Sequence, residues 1–196
     1  MLWWRAGPDA APVAFRFQDP PRPDAAAAVE ALRRLGLSVE ILSGDAPGAV
    51  SAVAAAVGVA EWRAGASPAD KAARMQELRA AGRRPLMVGD GINDAAAMAL
   101  AHASASPGGG ADLAQDTADF VLRGGGAIGG LLPVAEAVAV ARRSRRIARQ
   151  SLGFSLAYNL VAVPTAVAGL VTPLGAAVVM ATSSLAVIGN ALRAGR

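Results

Sequence analysis

A chain of 196 residues has room for one medium domain, or for one small domain with an appendage. Its composition is 54% hydrophobic with a mean hydropathy of +0.38, too apolar for an ordinary soluble domain, and its formal charge is +4. The basic excess carries no interleaved aromatic residues, which argues against a nucleic-acid patch, and the absence of cysteine removes thiolates from any metal site this chain builds alone.

Met1-Leu2-Trp3-Trp4-Arg5 is too short an apolar run for a secretory signal. Val13–Phe17 alternates as a strand does, and Asp24–Leu35 reads as a helix stopped at Gly36. Val39–Leu42 is a second strand, followed by Ser43-Gly44-Asp45 and a helix from about Pro47 to Val57. Ser67 as N-cap and Pro68 at the first helical position start a further helix that runs to Ala81, before Gly82. Leu86–Val88 is the next strand, Asp94–Ala101 a helix, and Ala103-Ser104 and Phe120–Leu122 the last strands. This β-α-β-α order predicts an α/β domain with a parallel, doubly wound sheet. Ligands bind such sheets at the carboxyl ends of strands, where Ser43–Asp45 and Asp90–Asp94 both fall. No internal repeat is visible. Gly124-Gly125-Gly126 and Gly129-Gly130 read as a hinge before a helix over Leu131–Arg149.

From Gln150 through Leu192 no charged residue occurs, and only Thr172-Pro173 and flanking glycines interrupt the stretch. Its halves, Leu152–Leu170 and Leu174–Leu192, each approach the roughly 20 residues needed to cross a bilayer. A two-helix transmembrane hairpin follows. Arg142, Arg143, Arg145, Arg146 and Arg149 precede it and Arg193 and Arg196 close it, which predicts that both termini face the cytoplasm. The cluster also suits contact with anionic lipid.

Gly89-Asp90-Gly91-Ile92-Asn93-Asp94 is the most informative stretch. Its glycines let backbone approach an anion, and its carboxylates are the hard oxygen ligands that Mg²⁺ prefers. Ser43-Gly44-Asp45 and Lys71 fall at neighbouring strand ends, so a hydroxyl, an ammonium and a carboxylate pair converge. Phosphoryl transfer needs those groups: cations for the developing charge and donors for the phosphoryl oxygens. Lys71 is the only lysine among 19 basic residues, as expected where a compact point charge must meet a phosphate.

In order and spacing the set resembles the haloacid-dehalogenase-type phosphorylation domain of P-type ATPases, and nearly the whole chain resembles the C-terminal part of a copper-type, heavy-metal pump. Phe17-Gln18-Asp19 with Arg22-Pro23-Asp24-Ala25 is similar to the family's re-entry into that domain. Leu42-Ser43-Gly44-Asp45 stands where the family has Thr-Gly-Asp, Ser67-Pro68-Ala69-Asp70-Lys71 where it has Pro-x-x-Lys, and Met87–Ala95 resembles its Gly-Asp-Gly-x-Asn-Asp hinge motif. The resemblance implies catalytic roles for Ser43, Asp45, Lys71 and Asn93, cofactor binding at Gly44, Gly89 and Gly91, and Mg²⁺ ligation by Asp90 and Asp94. Tyr158-Asn159 and Met180-Ala181-Thr182-Ser183-Ser184 look like the membrane elements of copper pumps. Tyr158, Asn159, Met180 and Ser184 are then candidates for contact with transported Cu(I), for which a thioether is a suitably soft ligand. Ala101-His102-Ala103-Ser104-Ala105-Ser106-Pro107 is similar to the branch supplying haem–copper oxidase assembly, with His102 structural.

The implied organisation is a remnant of the nucleotide-binding domain or linker (1–12), a partial phosphorylation domain (13–123), a glycine hinge with a basic juxtamembrane helix (124–150) and two transmembrane helices (151–193). The implied cofactors are Mg²⁺ and ATP, the latter through absent domains. The implied partners are the bilayer, a monovalent heavy-metal ion and the rest of a split or full-length pump. The family's Asp-Lys-Thr-Gly-Thr and Cys-Pro-Cys motifs do not occur in these residues, and Ala96 and Met98 stand where it favours proline and leucine. The expected consequences are a chain without ATPase activity by itself and a sheet that lacks a central strand. The alternatives are a non-catalytic hairpin that associates with a full-length pump, and a membrane-tethered phosphatase, for which no suitably placed Asp-x-Asp is present.

Overall fold

The structure, a computed structural model, describes residues 2–7, 11–15, 20–89, 92–107, 116–122 and 130–195, which divide into a first unit to Val134 and a second from Ala135. Phe17-Gln18-Asp19, Asp90-Gly91 and the glycines at 124–126 and 129 lie outside the described residues.

In the first unit, β1 (Leu2–Trp4) pairs antiparallel with β2 (Val13–Phe15). There follow α1 (Ala25–Arg34), β3 (Glu40–Leu42), α2 (Pro47–Val57), β4 (Glu61–Arg63), α3 (Pro68–Ala80) and β5 (Leu86–Val88). A single 3₁₀ turn (Ile92–Asp94) then leads into α4 (Ala95–Leu100), β6 (Ala103–Pro107) and β7 (Phe120–Leu122). The strands after β2 are all parallel. β3 pairs with β4, and β5, β6 and β7 form a separate sheet with β6 in the middle. Among the described residues no strand pairs with the second edge of β3 or of β5. Leu42 of β3 nevertheless packs against Met75, Met87, Ala97 and Met98, so both sheets contribute to one apolar core.

Helix ends follow local chemistry. Pro47 opens α2, and Gly58 closes it in the left-handed conformation at φ +74°. Val50, Ala54 and Val57 face inward, and Val57 joins Ala25, Val29 and Val59 in a second core. Three strands depart from the sequence expectation. β1 was not anticipated, and it pairs antiparallel with β2 where a parallel sheet was expected. β4 has three exposed side chains and hence no alternation to announce it; pairing with β3 makes it a strand. β6 extends to Pro107 although alanine and serine are weak strand formers, because its central place buries Ser104, Ala105 and Ser106. The Ser104 hydroxyl donates to Asp119 Oδ2 at 3.0 Å, which offsets the burial of a polar group.

Asp24 performs a long-range task. Its Oδ2 accepts from the N–H groups of Leu131 (2.6 Å) and Leu132 (2.9 Å), more than a hundred residues away in sequence, and so caps the start of α5 (Leu132–Val167). A Cβ at Gly130 would stand 2.7 Å from that same oxygen, so the close approach requires glycine there. Asp24→Ala leaves two N–H groups without their carboxylate. The expected cost is about 2 kcal/mol, seen as a lower urea midpoint at unchanged slope.

The second unit holds the remainder of α5 and α6 (Pro173–Ala191). The basic segment and the expected first span form one unbroken helix that stops at Val167, short of Leu170, because Gly169 turns left-handed (φ +73°) and its N–H and that of Leu170 close the end. The Thr172 hydroxyl caps α6 by accepting from the Gly175 N–H at 3.1 Å. The two helices meet through Asn190, whose amide donates to Ser151 Oγ at 3.0 Å and to the Ile147 carbonyl at 3.4 Å. By length and composition Pro173–Ala191 can cross a membrane. The uncharged half of α5 is less apolar, since it carries Ser151, Gly153, Ser155, Tyr158, Asn159, Pro164 and Thr165.

Candidate phosphate site

The carboxyl ends of β3, β4 and β5 lead to one place. β3 ends at Ser43, β4 leads through Gly65 and Ala66 to the start of α3, and β5 ends at Gly89. Backbone bonds lock the first two together: Ser43 N–H donates to the Arg63 carbonyl (3.0 Å), Ala66 N–H to that of Ser43 (2.9 Å), and Gly65 N–H to that of Asp45 (2.9 Å). The result is a cleft of about 440 Å³ lined by Ser43, Gly44, Asp45, Gly65, Ala66, Ser67, Pro68, Lys71 and Asn93.

The Ser43, Asp45, Ser67 and Lys71 side chains have defined partners. The Ser43 hydroxyl donates to Asp45 Oδ2 at 2.9 Å and accepts from the Asp45 N–H at 3.2 Å. Lys71 Nζ donates to Asp94 Oδ1 at 2.7 Å, and both side chains are only 13% exposed. Gly89 makes that arrangement possible, because a Cβ there would fall 2.7 Å from Asp94 Cβ and 2.8 Å from its Oδ2. The start of α3 faces the cleft through Ser67 and Pro68, adding the positive end of a 13-residue helix. Ser67 and Asp70 form a capping box there. The Ser67 hydroxyl and N–H hold the Asp70 carboxyl below its ordinary range.

The arrangement suits an oxyanion. It offers a hydroxyl, an ammonium and a helix N-terminus, with backbone close enough at Gly44 for a ligand to approach. Among the described residues no group of three or more acidic or imidazole side chains forms a complete metal cage. Mg²⁺ at phosphate sites does not need one: it keeps several waters and takes one or two carboxylates beside the phosphate oxygens. Asp94 would offer one hard oxygen of that kind beside its Lys71 pair, so the residues present fit Mg²⁺.

Of the residues expected from sequence, Ser43, Gly44, Asp45, Lys71, Asn93, Asp94 and Gly89 come together here, while Asp90 and Gly91 lie outside the described residues. Gly65, Ala66, Ser67 and Pro68 were not expected as lining; the Ser-Pro helix start that positions them is a signal that could have indicated it. Tyr158, Asn159, Met180 and Ser184 belong to the second unit. Tyr158 is half-buried on α5, Asn159 is exposed, and Met180 and Ser184 are exposed one turn apart on α6.

Residues 8–102 match the model of the haloacid dehalogenase-like hydrolases. The chain is 50% identical over 173 residues to the nitrogen fixation protein FixI of Bradyrhizobium diazoefficiens, covering 88% of this chain and 23% of that protein. It is 39% identical over 166 residues to the copper-exporting P-type ATPase of Bacillus subtilis, covering 85% and 20%. Among solved structures, a zinc-transporting PIB-type ATPase in its E2·Pi state superposes with a TM-score of 0.83 at 34% identity, covering 91% of this chain and 29% of that one. The chain thus spans less than a quarter of the length of these curated relatives.

Proposed function

We propose, for a chain that belongs to the heavy-metal P-type ATPases along nearly its whole length, that it supplies one side of the phosphoryl-transfer site of an ATP-driven cation pump, together with two helices of the ion pathway. The observation that carries this reading is the Lys71–Asp94 pair in one cleft with Ser43 and Asn93. In a loose phosphoryl-transfer transition state charge spreads over the equatorial oxygens, and catalysis is mainly positioning and electrostatic stabilisation. Ser43 donates a hydrogen bond to one such oxygen and Lys71 places its ammonium against another. Asn93 lines the same wall and orients the group. Gly44, Gly89 and Gly91 keep the approach clear of side chains, and the Asp45 N–H, which donates to Ser43 Oγ, holds the oxygen in position while the hydroxyl proton turns from the Asp45 carboxylate to the phosphoryl oxygen. Asp94, with Asp90, is the carboxylate pair for Mg²⁺, which when bound would neutralise phosphate charge.

The nucleophile is not among these residues, and a phosphoryl site without it forms no aspartyl-phosphate. The unpaired edges of β3 and β5, whose side chains share a core, support a sheet completed by a strand from another segment. Titration of the purified chain with inorganic phosphate in the presence of Mg²⁺, followed by ³¹P line broadening, tests the site. Saturable binding is expected, at least about ten-fold weaker in Lys71→Gln. No Mg²⁺-dependent binding by the unsubstituted chain would overturn the assignment.

The second unit is the membrane part, with α5 and α6 crossing the bilayer and both arginine-flanked ends on the cytoplasmic side. Cu(I) is the proposed cargo: the Bacillus relative is copper-exporting, and Met180 offers a soft thioether with Ser184 one turn away. The zinc-transporting neighbour makes Zn²⁺ the competing ion, but neither span carries a carboxylate or lysine. One thioether on an exposed face is a partial site. Equilibrium Cu(I) binding by the isolated chain should therefore be weak and change less than about two-fold in Met180→Ala. Tight stoichiometric binding lost in that variant would contradict a ligand set shared with further helices.

A further inference from the structure

The face of α5 opposite α6 has a composition of its own. Ile147 and Ser151 meet Asn190 of α6, and the half-buried positions continue along that side at Ser155, Tyr158, Ala162 and Thr165. On the far side, Arg142, Arg145, Arg146 and Arg149 recur at helical spacing and, with Gln150, line a cleft of about 450 Å³. The same stripe then continues, without a change of face, as Leu152, Leu156 and Leu160, which are 71%, 70% and 75% exposed.

We infer that this stripe is a binding site for one anionic phospholipid, its headgroup phosphate held by the four arginines and an acyl chain laid along the three leucines. Charge alone would suit any phosphate. The leucines running on from the arginines are what favour a lipid, because a free anion has no use for an apolar track below its site. Guanidinium groups at three- and four-residue spacing offer paired donors to a phosphate, as planar forks do. Arg143 lies off the stripe and does not line the cleft, which provides an internal control of equal charge.

The inference rests on the second unit being membrane-embedded, so the experiment first establishes that. The full chain is reconstituted in phosphatidylcholine vesicles and washed at alkaline pH. Release by the wash would refute membrane insertion itself. For inserted protein, spin-labelled phosphatidylglycerol and spin-labelled phosphatidylcholine are compared for the fraction immobilised on the protein. Phosphatidylglycerol should be preferred at least about five-fold, the contribution of a single engaged arginine. The preference should vanish when Arg142, Arg145, Arg146 and Arg149 are all changed to glutamine, persist when they are changed to lysine, and survive Arg143→Gln. Excess inorganic phosphate should not compete with the labelled lipid.

Three outcomes overturn the proposal. An inserted chain with no preference for the anionic lipid does so directly. Equal sensitivity to Arg143→Gln shows diffuse attraction to a charged surface, without a site. Displacement by inorganic phosphate at millimolar concentration shows an anion site that does not use the leucines.

Discussion

Replacing Lys71 with methionine should destabilise the first unit by about 3 kcal/mol, the lower end of what breaking a buried ion pair costs. Both members are 13% exposed and sit 2.7 Å apart, so removing the ammonium leaves the Asp94 carboxylate largely out of water without a counter-charge. Gly89 is packed against that carboxylate, which limits its escape to solvent. The lower end applies because the cleft is open on one side and admits water. Urea unfolding monitored by tryptophan fluorescence reads the effect. The double substitution Lys71→Met with Asp94→Asn removes both charges and should recover at least half of the loss, as expected for a coupled pair. Recovery of stability must not bring recovery of function. Mg²⁺-dependent phosphate binding should be lost in the double variant, since both the proposed phosphate cation and a proposed metal ligand are gone. If the double variant bound phosphate like the unsubstituted chain, the pair would be a structural ion pair and nothing more.

The second large effect concerns catalysis. The 196-residue chain should form no acid-stable phosphoenzyme from Mg·ATP and show no vanadate-sensitive hydrolysis, a loss of many orders of magnitude relative to a complete pump. The proposed site has groups suited to stabilising a phosphoryl group in transit, and among the described residues lining it no carboxylate is left free to accept one covalently. Asp45 is engaged by Ser43 and Asp94 by Lys71, and both hold other groups in place. Hydrolysis of ATP by the purified chain, sensitive to aluminium fluoride and abolished by Asp94→Asn, would refute this part of the account.

What could be read from the sequence divides along physical lines. Helix ends were legible wherever local chemistry sets them, as at Pro47, at Gly58 and at the Ser67-Pro68 start of α3. β4 was not, because all three of its side chains are exposed and only the β3 ladder makes it a strand. β6 was recognised at its first two residues but not at its full length, which depends on its central position between β5 and β7. The convergence of Ser43, Lys71 and Asn93 was legible because strand ends in a parallel sheet gather ligands. The pairing of Lys71 with Asp94 was not, since each residue had been assigned to a ligand and the contact between them is a tertiary fact. Asp24 capping α5 from more than a hundred residues away has no local signature at all. The apolar C-terminal stretch was legible as two helices, but the continuity of α5 through the basic segment was not, because a charge boundary is not a helix boundary.

Formation of a phosphoenzyme in trans decides whether this chain completes a phosphoryl-transfer site. This chain is co-expressed with the remaining N-terminal portion of a FixI-type relative, the pair is co-purified, and it is incubated with Mg·[γ-³²P]ATP. The expected result is an acid-stable, hydroxylamine-labile label on the partner polypeptide, present only when both chains are present and lost with Lys71→Met. Label on this chain by itself, or a co-purified pair that never labels, would contradict it.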